Sequence, residues 1–373
     1  MKLNEELNWY LAYLLRGTRL TKKSRRAYNM IYTYKEYIKE CKKAFYQYSF
    51  LGCDDAKRFM GAYLNKSVKP IRMSQPIMKE NDPILLCAVK DDLERIKLQV
   101  EYHRGIGVKH FAYIDNMSTD GTFEWLKEQP DVSLFLTEET FNADVKDAWK
   151  RQATDILGYG RWYLVLDSDE FFIYPGIETK NINAYIDFLE NNKIKSAFSP
   201  MIDMYSRGTL FEKINGVNGI FDSYCYFDTD TYTQKKMFSN YRVTGGPRMR
   251  AFSAEVLEKY ALIKLTEDIL VTNHRNLPYK HNFETKGAIA FLLHYKFLPN
   301  DIERYKKLIT SGLYYNGSEY YKKFMNMFEQ NPNLSFYYDG SQKLNDSTDL
   351  MKINLIDRHF FKKFGIYHNA NNK

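Results

Sequence analysis

The sequence has little cysteine. Four are scattered over 373 residues, at Cys41, Cys53, Cys87 and Cys225, and no Cys-x-x-Cys pair occurs. That excludes a disulfide framework or a zinc knuckle, and a reducing, cytoplasmic compartment is expected. Long apolar runs are also missing. The longest stretches, AIAFLLHYKFL and RWYLVLDSDEFFIYP, fall short of the roughly 18 residues a membrane span needs, and polar residues interrupt both. The opening MKLNEELNWY carries acids early and no apolar h-region, so no secretory signal is expected. There is no internal repeat, and no low-complexity tract beyond the terminal NANNK. The balance of 44% hydrophobic and 27% charged residues excludes bulk disorder and collagen-like repeats. Aromatic residues are abundant at 16%, which suits a protein with sheet but names no ligand.

Positive charge is unevenly placed. Residues 1–80 hold 17 Lys and Arg against 7 Asp and Glu, while the rest of the chain is close to neutral. The shift falls near the prolines of KPIRMSQPIMKENDP, and a boundary is expected there. Before it, Tyr28, Ile31, Tyr34, Ile38, Cys41 and Phe45 recur every three or four residues, as on one face of a helix. Such a basic helix either packs on the main body or lies on an anionic membrane surface. Nucleic acid is not an expected partner, because no binding motif accompanies the charge.

From residue 84 strands and helices alternate. ILLCAV reads as a strand buried on both faces, DLERIKLQVEYHRGIG as a helix and KHFAYID as a second strand. STDGTFEWLKEQ reads as a short helix capped by Ser118 or Thr119. VSLFLT, NADVKDAWKRQATDILGYG and RWYLVLD follow as strand, helix and strand. Alternation of this kind implies parallel strands, with ligands gathering at their carboxyl ends. AIAFLLHYKFL is a further expected strand, and the last ~75 residues are expected to be mostly helical.

Two motifs lie at those strand ends. In LVLDSDEFF, Asp167, Asp169 and Glu170 bring carboxylates together where an apolar strand stops. Such a group is costly without a cation, and Mg²⁺ or Mn²⁺ takes oxygen ligands and bridges nucleotide phosphates. The bland alternative is a set of acids capping a strand. In YIDNMSTDGT, Asp115 ends a strand and a tight turn opens a helix. An aspartate there suits the N–H edge of a base, and the helix start suits an anion.

Taken together, AVKDD, EYHRGIGVKHFAYIDNMSTDGT and LDSDEF resemble the family 2 glycosyltransferases, in the branch with a DN.S.DGT and DxDEF pattern common in bacterial polysaccharide synthesis. The resemblance covers about residues 84–175 and continues loosely through GGPRMR and LLHYKF. It implies a glycosyltransferase-A fold, which is α/β and Rossmann-like with a mostly parallel central sheet. It also implies a nucleoside-diphosphate sugar donor, a divalent metal and inversion at the sugar. Asp115 then matches the acid that holds the base, Asp167 the first acid of the pair and Asp169 the principal metal ligand. Where the branch has Asn-Glu after the first strand, this chain has Asp91 and Asp92. The expected organisation is a basic helical extension (1–80), a catalytic domain (81–300) and a helical C-terminal region (301–373).

Further candidates rest on residue chemistry. Val89, Asp91, Asn116 and Ser168 flank the acids and are expected to line the nucleotide site. Lys146, Arg151 and Gln152 lie on the helix before the acidic strand. Arg151 is a candidate for a donor phosphate, because its fork of donors suits phosphate oxygens. Arg248 and Arg250 follow two glycines that let backbone approach a ligand, and are candidates to hold the diphosphate or an acidic acceptor, the alternative being a plain basic loop. His294 is either a core histidine or, as the resemblance implies, a third metal ligand beside Asp167 and Asp169 or a phosphate contact. An inverting transfer needs a general base, for which Asp203, Glu267 and Asp268 are candidates. The acceptor is expected to be a hydroxyl of a glycan or a lipid-linked sugar, and uridine diphosphate the nucleotide. The place of action would be the cytoplasm, possibly at the inner face of the membrane. An Asp-x-Asp phosphohydrolase and a non-enzymatic membrane or assembly adaptor are the rival readings.

Overall fold

The structure is a computed structural model. It describes residues 61–366 apart from 215–218, 238, 253–255, 268, 273, 278, 313 and 314. The expected basic helix over Tyr28 to Phe45 therefore lies outside the described residues.

The alternating pattern folds as an α/β sheet. Its strands are β1 (Lys69–Arg72), β2 (Ile84–Val89), β3 (His110–Asp115), β4 (Val132–Leu136), β5 (Arg161–Leu166), β7 (Ser196–Ala197) and β9 (Leu262–Leu265). They lie in the order β1-β4-β3-β2-β5-β9-β7. The four central strands are parallel, and the three outer ones run antiparallel to their neighbours. Because β1 closes one edge of this sheet, the folded body begins before the boundary expected near residue 80.

Helices α1 (Leu93–Gly105), α2 (Thr122–Glu128) and α3 (Ala143–Leu157) make the crossovers. Strand residues alternate between two apolar layers. Leu85, Cys87, Phe111, Tyr113, Leu164 and Leu166 pack with Ile96 and Val100 of α1. Ile84, Leu86, Ala112, Ile114, Tyr163 and Val165 pack with Trp149 and Ala153 of α3. A strand covered on both sides must be apolar throughout, which explains ILLCAV and RWYLVL. Each Leu, Ile, Val or Phe among them contributes roughly 1.5–3 kcal/mol by leaving water.

A second sheet supports the first. β6 (Glu170–Ile173), β10 (Phe291–His294) and β8 (Met201–Asp203) lie in the order β6-β10-β8. Register places His294 opposite Glu170 on one side and Asp203 on the other. The C-terminal part is less separate than expected. After α4 (Ile182–Asn191), α5 (Gly246–Ala251), α6 (Asp301–Ser311) and α7 (Tyr315–Gln330), the last helix α8 (Arg358–Phe364) returns to the main core. Its Phe360 and Phe364 pack edge-on against Tyr185, which stacks on Tyr174 at 4.1 Å.

Among the described residues no helix is long and apolar enough to cross a membrane.

Candidate functional site

Parallel strands bring the two sequence motifs to one edge. In the sheet order, the chain leaves β2 towards β3 on one side and reaches β5 on the other, so the carboxyl ends of β2 and β5 form a switch point. Asp115 pairs with Val89 at the end of β3 and β2, and Asp167 follows directly on β5. The loops at the ends of β2 and β3 are stitched together. Asp91 donates its N–H to Ser118 Oγ at 2.9 Å and accepts from the Thr119 N–H at 2.6 Å. Ser118 and Thr119 therefore do not cap α2. The cap position is Gly121, with φ of +92°, and Asp120 accepts from the Thr122 N–H at 3.0 Å.

Asp115 is fully buried. Its Oδ1 accepts the Ser118 N–H at 2.9 Å, while its Oδ2 has no hydrogen-bond partner among the described residues. Burial pushes its carboxyl above the ordinary range against the bonds from Ser118. A buried oxygen of this kind carries a desolvation cost of roughly 1–3 kcal/mol until a donor meets it.

The acids after β5 divide between two neighbourhoods. Asp167 is ringed by amines: Lys146 Nζ at 2.8 Å, Lys259 Nζ at 3.2 Å and Lys150 Nζ at 3.7 Å. Burial alone would raise its carboxyl, but Lys146, Lys259 and Lys150 outweigh burial and hold it well below the usual range. Lys259 also reaches Glu170 at 2.8 Å. Asp169 faces the other way, with its Oδ2 3.3 Å from His294 Nε2 and 3.8 Å from Lys296 Nζ. His294 Nδ1 lies 2.7 Å from Asp203 Oδ1, and Arg248 Nε donates to Asp203 Oδ2 at 2.7 Å. Arg248 continues to Tyr320 Oη at 3.0 Å. The result is a line, Asp169–His294–Asp203–Arg248–Tyr320, buried at its three middle residues.

A divalent ion was expected on Asp167, Asp169 and His294. No group of three His, Cys, Asp or Glu side chains converges as a metal cage among the described residues. Asp167 does not fit as a ligand, because three ammonium groups occupy its surroundings. Asp169 and His294 lie together at 3.3 Å and carry donor types a divalent ion takes, but they are two side chains, not three. A ligating imidazole commonly gives its other ring N–H to a carboxylate, as His294 Nδ1 is placed to do with Asp203. Mg²⁺ needs few protein ligands when substrate phosphates supply the rest.

Several other expectations are corrected. Asp203 is a poor general base. Burial opposes its ionisation, but Arg248 and His294 bring its pKa down to about 2, so it scarcely accepts a proton. Glu267 is exposed and follows β9, whose Leu265 pairs with Arg161 at the start of β5. That is the amino edge of the sheet, opposite the acids. Asp268 lies outside the described residues. Arg151 is buried and braces the same region, donating to the Ile269 and Glu267 carbonyls at 3.1 and 2.9 Å. It does not face the donor site. Gln152 holds the chain before β1, accepting from the Val68 N–H at 2.9 Å and donating to the Ala62 carbonyl at 2.8 Å.

Arg250 donates to both oxygens of Asp228, at 3.0 and 2.9 Å, and lies over Tyr338. It is a structural tie rather than a diphosphate clamp. The glycines before it approach the protein's own chain. A side chain on Gly245, where φ is +127°, would meet the Thr231 carbonyl oxygen at 2.4 Å. Asn116 uses its amide on the Thr137 and Glu139 carbonyls at 3.0 and 2.9 Å. The Val89 carbonyl accepts the Asn116 N–H, and the Ser168 hydroxyl is engaged by Asp92. Val89, Asn116 and Ser168 therefore commit these groups to the shape of the edge.

Sequence reasoning missed Lys150, Lys259 and Asp92. Lys146 and Lys150 are one helical turn apart, a spacing that sets both on one face of α3. Lys259 is distant in sequence and carries no local signal. Asp92 gathers Ser168, Arg95 at 3.1 Å and Arg304 at 2.8 Å, and Arg95 also pairs with Asp301. Beside this knot lies a cleft of about 1070 Å³, with Asp91, Arg95, Thr119, Phe221 and Arg304 among its walls.

No family model and no curated protein matches the chain. Among solved structures it is similar to a candidate glucose-1-phosphate thymidylyltransferase from Bacillus anthracis, solved in complex with sucrose. The identity is 12% and the TM-score 0.24, over 75% of this chain and 98% of that one. A likeness of that size supports no statement about function.

Proposed function

We propose that the chain is a glycosyltransferase of the family 2 type. It binds a nucleoside-diphosphate sugar across the carboxyl edge of the sheet and moves the sugar to a hydroxyl of a glycan or lipid-linked acceptor, with inversion. The observation that carries the reading is the unpartnered Oδ2 of Asp115, buried at the end of β3 and beside the switch point where the Asp167–Glu170 segment sits. A base offering a ring N–H, as uracil does, satisfies that oxygen. Asp169 and His294 would hold a divalent cation, with Asp203 orienting the imidazole. When bound, that ion neutralises charge developing on the leaving diphosphate. Preorganised charge of this sort is commonly the largest catalytic term.

The acceptor would lie in the cleft beside Asp91 and Arg304, whose wall includes Asp92, the partner of Ser168. The basic residues 1–70 would hold the enzyme to an anionic membrane, where a lipid-linked acceptor of surface polysaccharide synthesis resides.

The test is a thermal-shift panel of nucleoside diphosphates with and without Mn²⁺, on the full chain and on Asp115→Asn. Ligand binding raises the melting temperature by mass action, without need of the acceptor. Uridine diphosphate should give the largest rise in the wild type, and Asp115→Asn should remove its advantage over the other bases. No rise with any nucleotide would refute the reading.

A further inference from the structure

Three amines round one carboxylate exceed what the carboxylate needs. Within 4 Å, Lys146, Lys150 and Lys259 have two carboxylates between them, those of Asp167 and Glu170. Asp147, next to Lys146 on α3, makes no ion pair with them among the described residues, and its Oδ1 has no partner there. Lys150 is the least satisfied of the three amines. It is 5% exposed, its ion pair is 3.7 Å long, and it forms no hydrogen bond among the described residues. Burial and the repulsion of Lys146 hold its ammonium below the usual range.

The location is open to a ligand. The Asp167 side chain is 28% exposed and Lys146 13%, so the nest has a mouth at the carboxyl edge. Helix α3 follows β4 and precedes β5, so it runs back along the sheet and its N-terminus lies at the same edge. Its dipole adds positive potential where Lys146 stands in the first turn.

We propose that Lys146, Lys150 and Lys259 form a preformed oxyanion site that takes the diphosphate of the donor, and that Asp167 holds these amines in position instead of ligating a metal. Asp167 is then a positioning residue. The assignment rests on the nucleotide-sugar reading for the identity of the donor. The anion site itself is chemically defined: a phosphate oxygen enters at the exposed side of Asp167 and supplies Lys150 with the hydrogen-bond partner it lacks. No covalent step is involved.

The experiment is calorimetric titration of the full chain with inorganic pyrophosphate and with uridine diphosphate. It is run in EDTA and in Mn²⁺, on wild type, Lys150→Met, Lys150→Arg and Asp115→Asn. Pyrophosphate is expected to bind in EDTA. Lys150→Met should weaken it at least tenfold without lowering the melting temperature, and Lys150→Arg should restore part of the affinity. A merely structural lysine would lower the melting temperature and leave the affinity unchanged, which overturns the proposal. Pyrophosphate binding that needs Mn²⁺ and ignores Lys150→Met overturns it too, even where uridine diphosphate still binds and the wider reading stands. Conversely, pyrophosphate binding as tightly as uridine diphosphate in the wild type, with Lys150→Met weakening both, supports the anion site while removing the nucleotide reading. Asp115→Asn should leave pyrophosphate affinity unchanged.

Discussion

Asp167 and Asp169 are two residues apart, yet they belong to different neighbourhoods. Asp167 turns to the α3 side, where three lysines meet it. Asp169 turns to the β8–β10 side, where a histidine, a second aspartate and an arginine form a line behind it. In a continuing strand residues i and i+2 share a face, but the chain turns at Ser168 and Asp169, so here the Asp-x-Asp pattern is not one ligand set. Here one acid collects cations from the protein, and the other stands beside an imidazole positioned as a ligand would be. Substitution at each should therefore fail in a different way. Asp169→Asn is expected to lower sugar transfer on the order of 10³-fold, comparable with removing a principal charge-stabilising group, with a smaller loss of stability than at Asp167, because its cations stand farther off, at 3.3 and 3.8 Å. Asp167→Asn leaves three buried amines undercompensated and is expected to cost about 2–4 kcal/mol of stability. That is somewhat below a fully buried pair, because 28% of the side chain meets water. Equal losses of activity and of stability in both variants would remove the distinction.

The line behind Asp169 gives the next largest effect. Asp203 is buried between His294 and Arg248, both at 2.7 Å. Asp203→Asn removes the carboxylate charge that Arg248 meets at 2.7 Å, and breaking a buried pair in this way costs about 3–5 kcal/mol. It also frees the imidazole to turn, which should weaken divalent-ion affinity roughly 10–100-fold. Denaturant melts and a Mn²⁺ titration read the two effects separately. A variant that lost activity through a changed pH profile but kept stability and metal affinity would restore Asp203 as a general base.

How far the sequence foretold this arrangement depends on distance along the chain. Alternating period and strand-end turns made β2 to β5 and their helices readable, because each such element declares itself within about fifteen residues. The same logic placed Asp115 and Asp167–Glu170 at the right edge. Direction was harder. Arg151 and Lys146 share a helix, and without the fold nothing told which face met the acids. Lys259, Arg248 and Asp203 meet their partners across 92, 45 and 91 residues. Pairings of that range leave no local pattern, and so a buried ion pair was read as a base and a phosphate clamp. The two glycines of GGPRMR were expected to let backbone approach a ligand, but what approaches them is Thr231 and Tyr232 of the same chain.

Acid sensitivity separates the charged edge from the apolar core. Asp167, Asp169 and Asp203 are all held below the ordinary carboxylate range, so their stabilising bonds persist until strongly acidic pH. His103 lies in the core behind them. Its Nδ1–H donates to the Gln99 carbonyl at 2.7 Å, and its Nε2 accepts the Phe172 N–H at 3.2 Å. Both bonds suit the neutral ring, and burial lowers its pKa from 6.5 to about 3. Below pH 6.5 the unfolded chain binds a proton that the folded chain refuses, so stability falls as pH falls from 6.5 towards 3. The loss should be about 2 kcal/mol between pH 6.5 and 5. Urea melts at the two pH values measure it, and His103→Gln should flatten the slope. An unchanged slope would assign the acid sensitivity to another group.

The smallest effect tests the opposite edge. Glu267 resembles, in its Glu-Asp pairing, the downstream acids that family 2 enzymes use as a base. In this fold, however, β9 runs antiparallel to β5, and Leu265 is already level with Arg161 at the amino end. Glu267 lies beyond it, a full strand length from Asp167. Its backbone carbonyl accepts from Arg151 at 2.9 Å, a bond that survives any side-chain substitution. Glu267→Ala should therefore change stability by less than about 0.5 kcal/mol, as for an exposed surface position. Transfer should stay within twofold, read as kcat on the same donor and acceptor used for Asp169→Asn. A fall of a hundredfold or more at constant stability would bring the general base back to this segment, and would require the acceptor to reach the amino edge of the sheet.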